Sequence, residues 1–276
     1  MDGYSLSHIF YKDVIVINKI KGAISFNLSL MAFLFSLGVQ AYNFTADFNK
    51  GFYWNSLPVT MKPFASNNYD ANNLNQFVAL SVQAWESATG KNIWNIEPLE
   101  MSSQYTGNFI KWSENFGNET GYDPNTTLAI TIRYNRGTFL ERTVIILNGS
   151  IAYLRQNVGN ALRTTILHEM GHTIGLDHSN VFGSVMYPTL SQSYQLANDD
   201  VEGMNALIDQ TMRRQETGFI SPFAASSNQE KVMACGTIVD ISQSKPPSCG
   251  FGGSFLSGAM MMVLMYALAR RKERLN

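Results

Sequence analysis

Apolar residues recur along the chain with different periods, and each period predicts a different element. From Asn73 to Ala88, Leu74, Phe77, Val78, Leu80, Val82, Ala84 and Trp85 return at helical spacing, and Gly90 follows where a helix can stop. Trp54–Met61 predicts a first strand. Asn108–Trp112, Leu128–Tyr134 and Thr143–Leu147 are short β-type runs set apart by Gly, Asn and Pro. A second helix is expected over Ala161–Gly175. A third opens at Asn198-Asp199-Asp200, whose side chains suit a positive helix end, and runs to about Ile208. Strands followed by two helices describe an α/β (α+β) domain.

Two further apolar runs lie outside that pattern. Residues 23–38 are uncharged, follow Lys19 and Lys21, and lead to the small residues of Val39-Gln40-Ala41. That order predicts a secretory signal peptide over 1–41, cut after Ala41, with an uncleaved anchor as the alternative. Phe251–Ala269 carries no charge and is long enough to cross a bilayer. Arg270, Arg271, Lys272 and Arg274 follow, so the basic tail over 270–276 belongs inside and everything before the helix outside. Residues 213–250, rich in Ser, Gln, Asn and Pro, read as a linker, which leaves 42–212 for the folded domain. Cys249-Gly250, the apolar helix and the Arg-rich end together resemble the sorting tails of exported bacterial proteins. That resemblance implies a temporary anchor; a permanent one fits the same residues.

Composition adds little beyond confirming a globular chain, with 45% hydrophobic and 15% charged residues. A net charge of −1 offers no footprint for nucleic acid. Cys235 and Cys249 are too few for a disulfide framework; export permits a bridge between them, and two unpaired thiols are the other reading.

The chemistry is concentrated in His168-Glu169-Met170-Gly171-His172-Thr173-Ile174-Gly175-Leu176-Asp177-His178. Histidines four apart on a helix share a face one turn apart, where one ion can touch both. Gly175 can end that helix in a left-handed conformation and turn the chain back to offer His178. Three imidazoles leave one tetrahedral position on zinc open, as a catalytic site requires. Glu169, beside the first ligand, can take a proton from a water that the metal has acidified, and return it to a leaving amine. Of the four histidines, only His8 lies elsewhere, in the segment expected to be removed.

This motif, with Ser184-Val185-Met186-Tyr187-Pro188 after it, resembles the metzincin peptidases, and Leu196–Gly203 narrows the likeness to the matrixins. The resemblance implies a twisted, mixed, mostly parallel sheet with an active-site helix and a C-terminal helix. It implies one catalytic zinc on His168, His172 and His178, Glu169 as catalytic residue, Gly175 as hinge, and Met186 as a hydrophobic floor. A polypeptide substrate would lie extended along a sheet edge. Thr143–Leu147 or an earlier strand would provide that edge. No histidines remain for a second, structural zinc. The loop Asn118–Thr126, with Glu119 and Asp123, is either a calcium site or a plain surface loop. A zinc-binding recognition module would be expected to have lost Glu169, and a hydrolase of non-peptide amides would not need the Met-containing turn.

Overall fold

The computed structural model describes residues 41–191 and 193–224 with their side chains, and 230–238 as backbone. Residues 1–40 of the expected signal peptide, the apolar run 251–269, the tail 270–276 and Cys249 lie outside the described residues. Among the described residues no helix is long and apolar enough to cross a membrane.

In chain order the elements are α1 (Ala46–Asn49), β1 (Tyr53–Trp54), β2 (Val59–Ala65), α2 (Asn68–Thr89), β3 (Trp94–Ile96), β4 (Glu100–Met101) and β5 (Phe109–Ser113). Then come α3 (Phe116–Thr120), β6 (Thr127–Arg136), β7 (Phe139–Asn148), α4 (Tyr153–Gln156), a π-helical turn (Val158–Leu162), α5 (Arg163–Ile174), α6 (Asn198–Thr217) and β8 (Glu230–Ile238). The strand expected over Trp54–Met61 is divided between β1 and β2; Pro58, which has no N–H for a ladder, lies between them. Helix α2 begins earlier than its apolar pattern, because Asn67 caps it by accepting the Asp70 N–H at 2.8 Å. It ends on Gly90 at φ 67°.

The sheet runs β3-β2-β5-β7-β6-β8, with β1 beside β7 and β4 beside β2. Strands β2, β3, β5 and β7 are parallel, whereas β6 pairs antiparallel with β7 and β8 antiparallel with β6. This is the mixed, mostly parallel sheet of the expected α/β fold. Side chains alternate across it, as the two-residue strand period requires. Ile145 and Leu147 join the larger core beneath the helices, and Ile130, Ile132, Val144 and Ile146 join a smaller cluster with Phe64 and Phe116.

Two expectations change. Thr143–Leu147, offered as a sheet edge, is interior: it pairs with β5 on one side and β6 on the other, and all five residues are buried. The linker expected from 213 does not begin there. Helix α6 continues to Thr217, where Gln215 donates to the Trp54 carbonyl and Arg214 to that of Phe48. Beyond it, Tyr53 donates to the Phe219 carbonyl at 2.9 Å, Ser221 is held at the β6–β7 turn, and Glu230–Ile238 forms a strand. Arg214, Gln215 and Tyr53 each reach a distant carbonyl with a side chain, Ser221 meets a distant hydroxyl, and β8 pairs through its backbone, so none of these contacts leaves a side-chain period to read.

Candidate metal centre

Helix α5 lies between α2 and the sheet, and every residue from Thr164 to Ile174 is buried. A buried helix end needs partners for its last carbonyls. Here Trp54 Nε1 donates to the Thr173 carbonyl at 2.9 Å, Arg133 to that of His172, and the Leu176 N–H to that of Gly171. Gly175 closes the helix at φ 122°, a conformation that side-chain-bearing residues resist. The Gly175 carbonyl accepts the Thr45 N–H, and the Asp177 N–H pairs back to Asn43, so the turn to His178 is strapped by the segment before α1. Asn43 Nδ2 also donates to the His178 carbonyl at 2.9 Å.

The strap and the helix together bring His168, His172 and His178 within reach of one ion: their ligand atoms all lie within 4.8 Å of one another. His168 Nδ1 lies 2.6 Å from the Val185 carbonyl and His172 Nδ1 2.7 Å from that of Leu176. A carbonyl only accepts, so both rings carry the proton on Nδ1, which leaves Nε2 as a lone-pair donor. Both Nε2 atoms are buried and make no hydrogen bond. Burial pushes His168 down to about 4 and His178 to about 3, and holds His172 well below the usual imidazole range. All three are therefore neutral at neutral pH, the form that binds a metal. Buried, neutral and convergent nitrogens fit zinc.

Glu169 is fully buried, and its Oε2 accepts a 2.7 Å hydrogen bond from Thr131 Oγ1 on β6. Half-buried Tyr122 faces the same carboxylate: burial and the charge of Glu169 both raise its phenol. Neither partner was visible in the sequence, where they lie 38 and 47 positions before Glu169 on separate elements.

Met186 packs under the helix, where a Cβ added at Gly171 would come 2.6 Å from its sulfur and 3.2 Å from the Trp85 ring. The turn carrying it hangs on Asp200 at the start of α6. The carboxylate accepts N–H groups from Val185 at 2.9 Å, Met186 at 3.0 Å and Ala197 at 2.8 Å, and the Ser184 hydroxyl. Asp200 thus caps a helix and fixes the Val185 carbonyl that orients His168. The sequence pattern marked only the first of these roles. Gly171→Ala is expected to cost about 1–3 kcal/mol through overpacking, read as a lower thermal midpoint.

A second buried group was also missed. Arg133 and Asp47, both fully buried, form a two-pronged pair at 2.8 and 2.9 Å, and the third arm of the guanidinium reaches the His172 carbonyl. Burial alone would raise the Asp47 carboxyl, but Arg133 and the hydrogen bonds from Thr45 and Phe48 outweigh it and hold it low. An Arg in the apolar run Leu128–Tyr134 was the available cue, since a charge in a buried strand needs a partner.

The structure thus gathers His168, Glu169, His172, Gly175, His178 and Met186 into one site. The acidic loop is elsewhere engaged: Glu119 pairs with Lys111, and Asp123 accepts the Asn125 N–H at 2.9 Å.

Comparison with known proteins gives the same direction. The matrixin family profile matches residues 64–209, which is 146 of 276 residues. Metalloendoproteinase 2-MMP of Arabidopsis thaliana is 47% identical over 49 residues, covering 17% of this chain and 13% of that protein. Matrilysin of Mus musculus is 48% identical over 44 residues, covering 14% and 17%. Interstitial collagenase of Oryctolagus cuniculus is 48% identical over 42 residues, covering 14% and 9%. The matched stretches therefore span less than a fifth of each relative's own length. The family profile, by contrast, reaches across β2 to α6, and with it this chain belongs to the matrixin family.

Proposed function

We propose that the chain is an exported zinc endopeptidase in which His168, His172 and His178 hold the metal and Glu169 is general base and acid. The observation that carries the reading is the convergence of three buried, neutral imidazoles beside a buried carboxylate. Zinc held there would acidify water and polarise a scissile carbonyl. The carbonyls of Val185 and Leu176 orient two of the rings by accepting their Nδ1 protons. Glu169, aimed by Thr131, accepts a proton from the attacking water and delivers it to the leaving amine. Met186 and Trp85 close the far side of the helix and keep water from it.

The relatives' names, metalloendoproteinase, matrilysin and collagenase, support a polypeptide substrate. Export, and anchoring through 251–269 with the chain facing outward, are supported by the sequence pattern alone. Mass spectrometry of the chain from its own cell tests that part: a mature N-terminus at Tyr42 is expected, and an intact Met1 would exclude cleavage.

The metal assignment is tested by zinc content after gel filtration. One zinc per chain is expected, with His168→Ala, His172→Ala and His178→Ala each losing most of it while folding normally by circular dichroism. A native chain without zinc, or three variants that keep it, would remove the assignment.

A further inference from the structure

Strand β8 pairs along β6, the strand beside the motif helix, where the peptidase reading would place an extended polypeptide substrate. Without it, β6 would be the outermost strand on the side of the motif helix, with the unpaired N–H and C=O groups to which an extended chain adds as a further strand. Thr131, halfway along β6, holds Glu169 through its hydroxyl, so a chain paired with that edge passes directly by the general base. Residues 230–238 of this same chain take that place. Antiparallel to β6, they run from Glu230 opposite Asn135 to Ile238 opposite Thr127, with Cys235 at the register position opposite Thr131. Helix α5 packs against β6 and β8 alike.

The chain is also delivered to that edge. Ser221 takes up the Thr138 hydroxyl through its N–H at 3.2 Å and donates to the Lys50 carbonyl at 2.6 Å, which pins the segment after α6 at the β6–β7 turn. Asn135, where β8 begins, is next to that turn. In the sequence only residues 225–229 separate Ala224 from Glu230, and covalent attachment over so few residues sets an effective concentration on the order of millimolar, against which a free substrate must compete.

We propose that Glu230–Ile238 is a built-in competitor that occupies the substrate edge of the peptidase and keeps it latent until the chain is cut or pulled away beyond Ala224. This rests on the peptidase reading of the site, and it assigns Glu230–Ile238 a regulatory role in place of a passive spacer.

The test uses the full-length chain with a specific protease site inserted between Ala224 and Glu230. Three quantities are compared before and after cutting: kcat/KM on a denatured protein, amide exchange of β6, and binding of a labelled extended peptide by the same chain carrying Glu169→Ala. A rise of about tenfold in kcat/KM and in peptide binding is expected, with faster exchange across Ala129–Arg133. A synthetic peptide of residues 230–238 added back should raise KM and leave kcat unchanged. Should the cut piece stay bound, the uncut double variant Ala234→Pro/Gly236→Pro, which removes two strand N–H groups, provides the same comparison. Tighter peptide binding and faster β6 exchange without any hydrolysis would uphold the competitor and sink the peptidase reading. Unchanged binding and unchanged exchange in both the cut chain and the proline variant would overturn the proposal.

Discussion

Glu169→Ala is expected to lower kcat/KM on a denatured protein by about 10³-fold while zinc stays bound in full. The two halves of that result come from different parts of the site. Retention of metal follows because the ligand atoms belong to three imidazoles, two of them oriented by the backbone carbonyls of Val185 and Leu176. Loss of rate follows because the carboxylate is buried beside them, held by Thr131. The helix should tolerate the change, since alanine has the higher helix propensity. Glu169→Gln separates proton transfer from space-filling: it keeps the size and the contact with Thr131 yet cannot accept a proton, so it should be nearly as inactive. A Gln variant at more than a tenth of native activity would exclude Glu169 as the base.

The second large effect concerns stability. Asp47→Asn or Arg133→Met should each cost about 3–5 kcal/mol, because each leaves the other charge buried without its partner. For a domain of this size that is a fall of roughly 10 °C in thermal midpoint. The double variant Asp47→Leu/Arg133→Met should lose clearly less than the two singles added together, since no orphaned charge remains. Additive losses would show that the pair is not coupled. The same pair sets an acid limit. The folded carboxyl of Asp47 is held below its unfolded value, so its contribution is complete above the ordinary carboxylate range near pH 4 and disappears as pH falls through the depressed folded value. The native chain should therefore lose stability in that window by more than Asp47→Asn does. Because Arg133 also reaches the His172 carbonyl, both single variants should weaken zinc binding as well.

What could be read from the sequence was local. His168, Glu169, His172 and Gly175 are placed by helix geometry within one segment, and Met186 by the resemblance of Ser184–Pro188 to the metzincin pattern. The strands and helices were visible where one side of each was apolar, as in α2 and β6. What escaped was set by distance along the chain. Thr131 and Arg133 bond residues of α5 that lie 38 and 39 positions later, and Asp47 reaches Arg133 from 86 positions earlier, and no spacing announces those contacts. Asp200 appeared as a helix cap, but the Met-containing turn it holds comes back through space. Strand β8 was read as linker because Val232-Met233-Ala234-Cys235 is a short run amid Ser, Gln and Pro, and its partner lies about a hundred residues earlier.

Those contacts converge on one claim, that a single zinc on three histidines, served by Glu169, cleaves polypeptide chains. Its most direct test is a zinc titration of the metal-stripped full-length chain, cut between Ala224 and Glu230, with bound zinc and hydrolysis of a denatured protein followed in the same samples. Hydrolysis should rise in proportion to bound zinc and level off at one ion per chain, and Glu169→Ala should bind the same zinc and remain inert. Hydrolysis that persists in the stripped chain, or a fully loaded native chain as inert as Glu169→Ala, would contradict it.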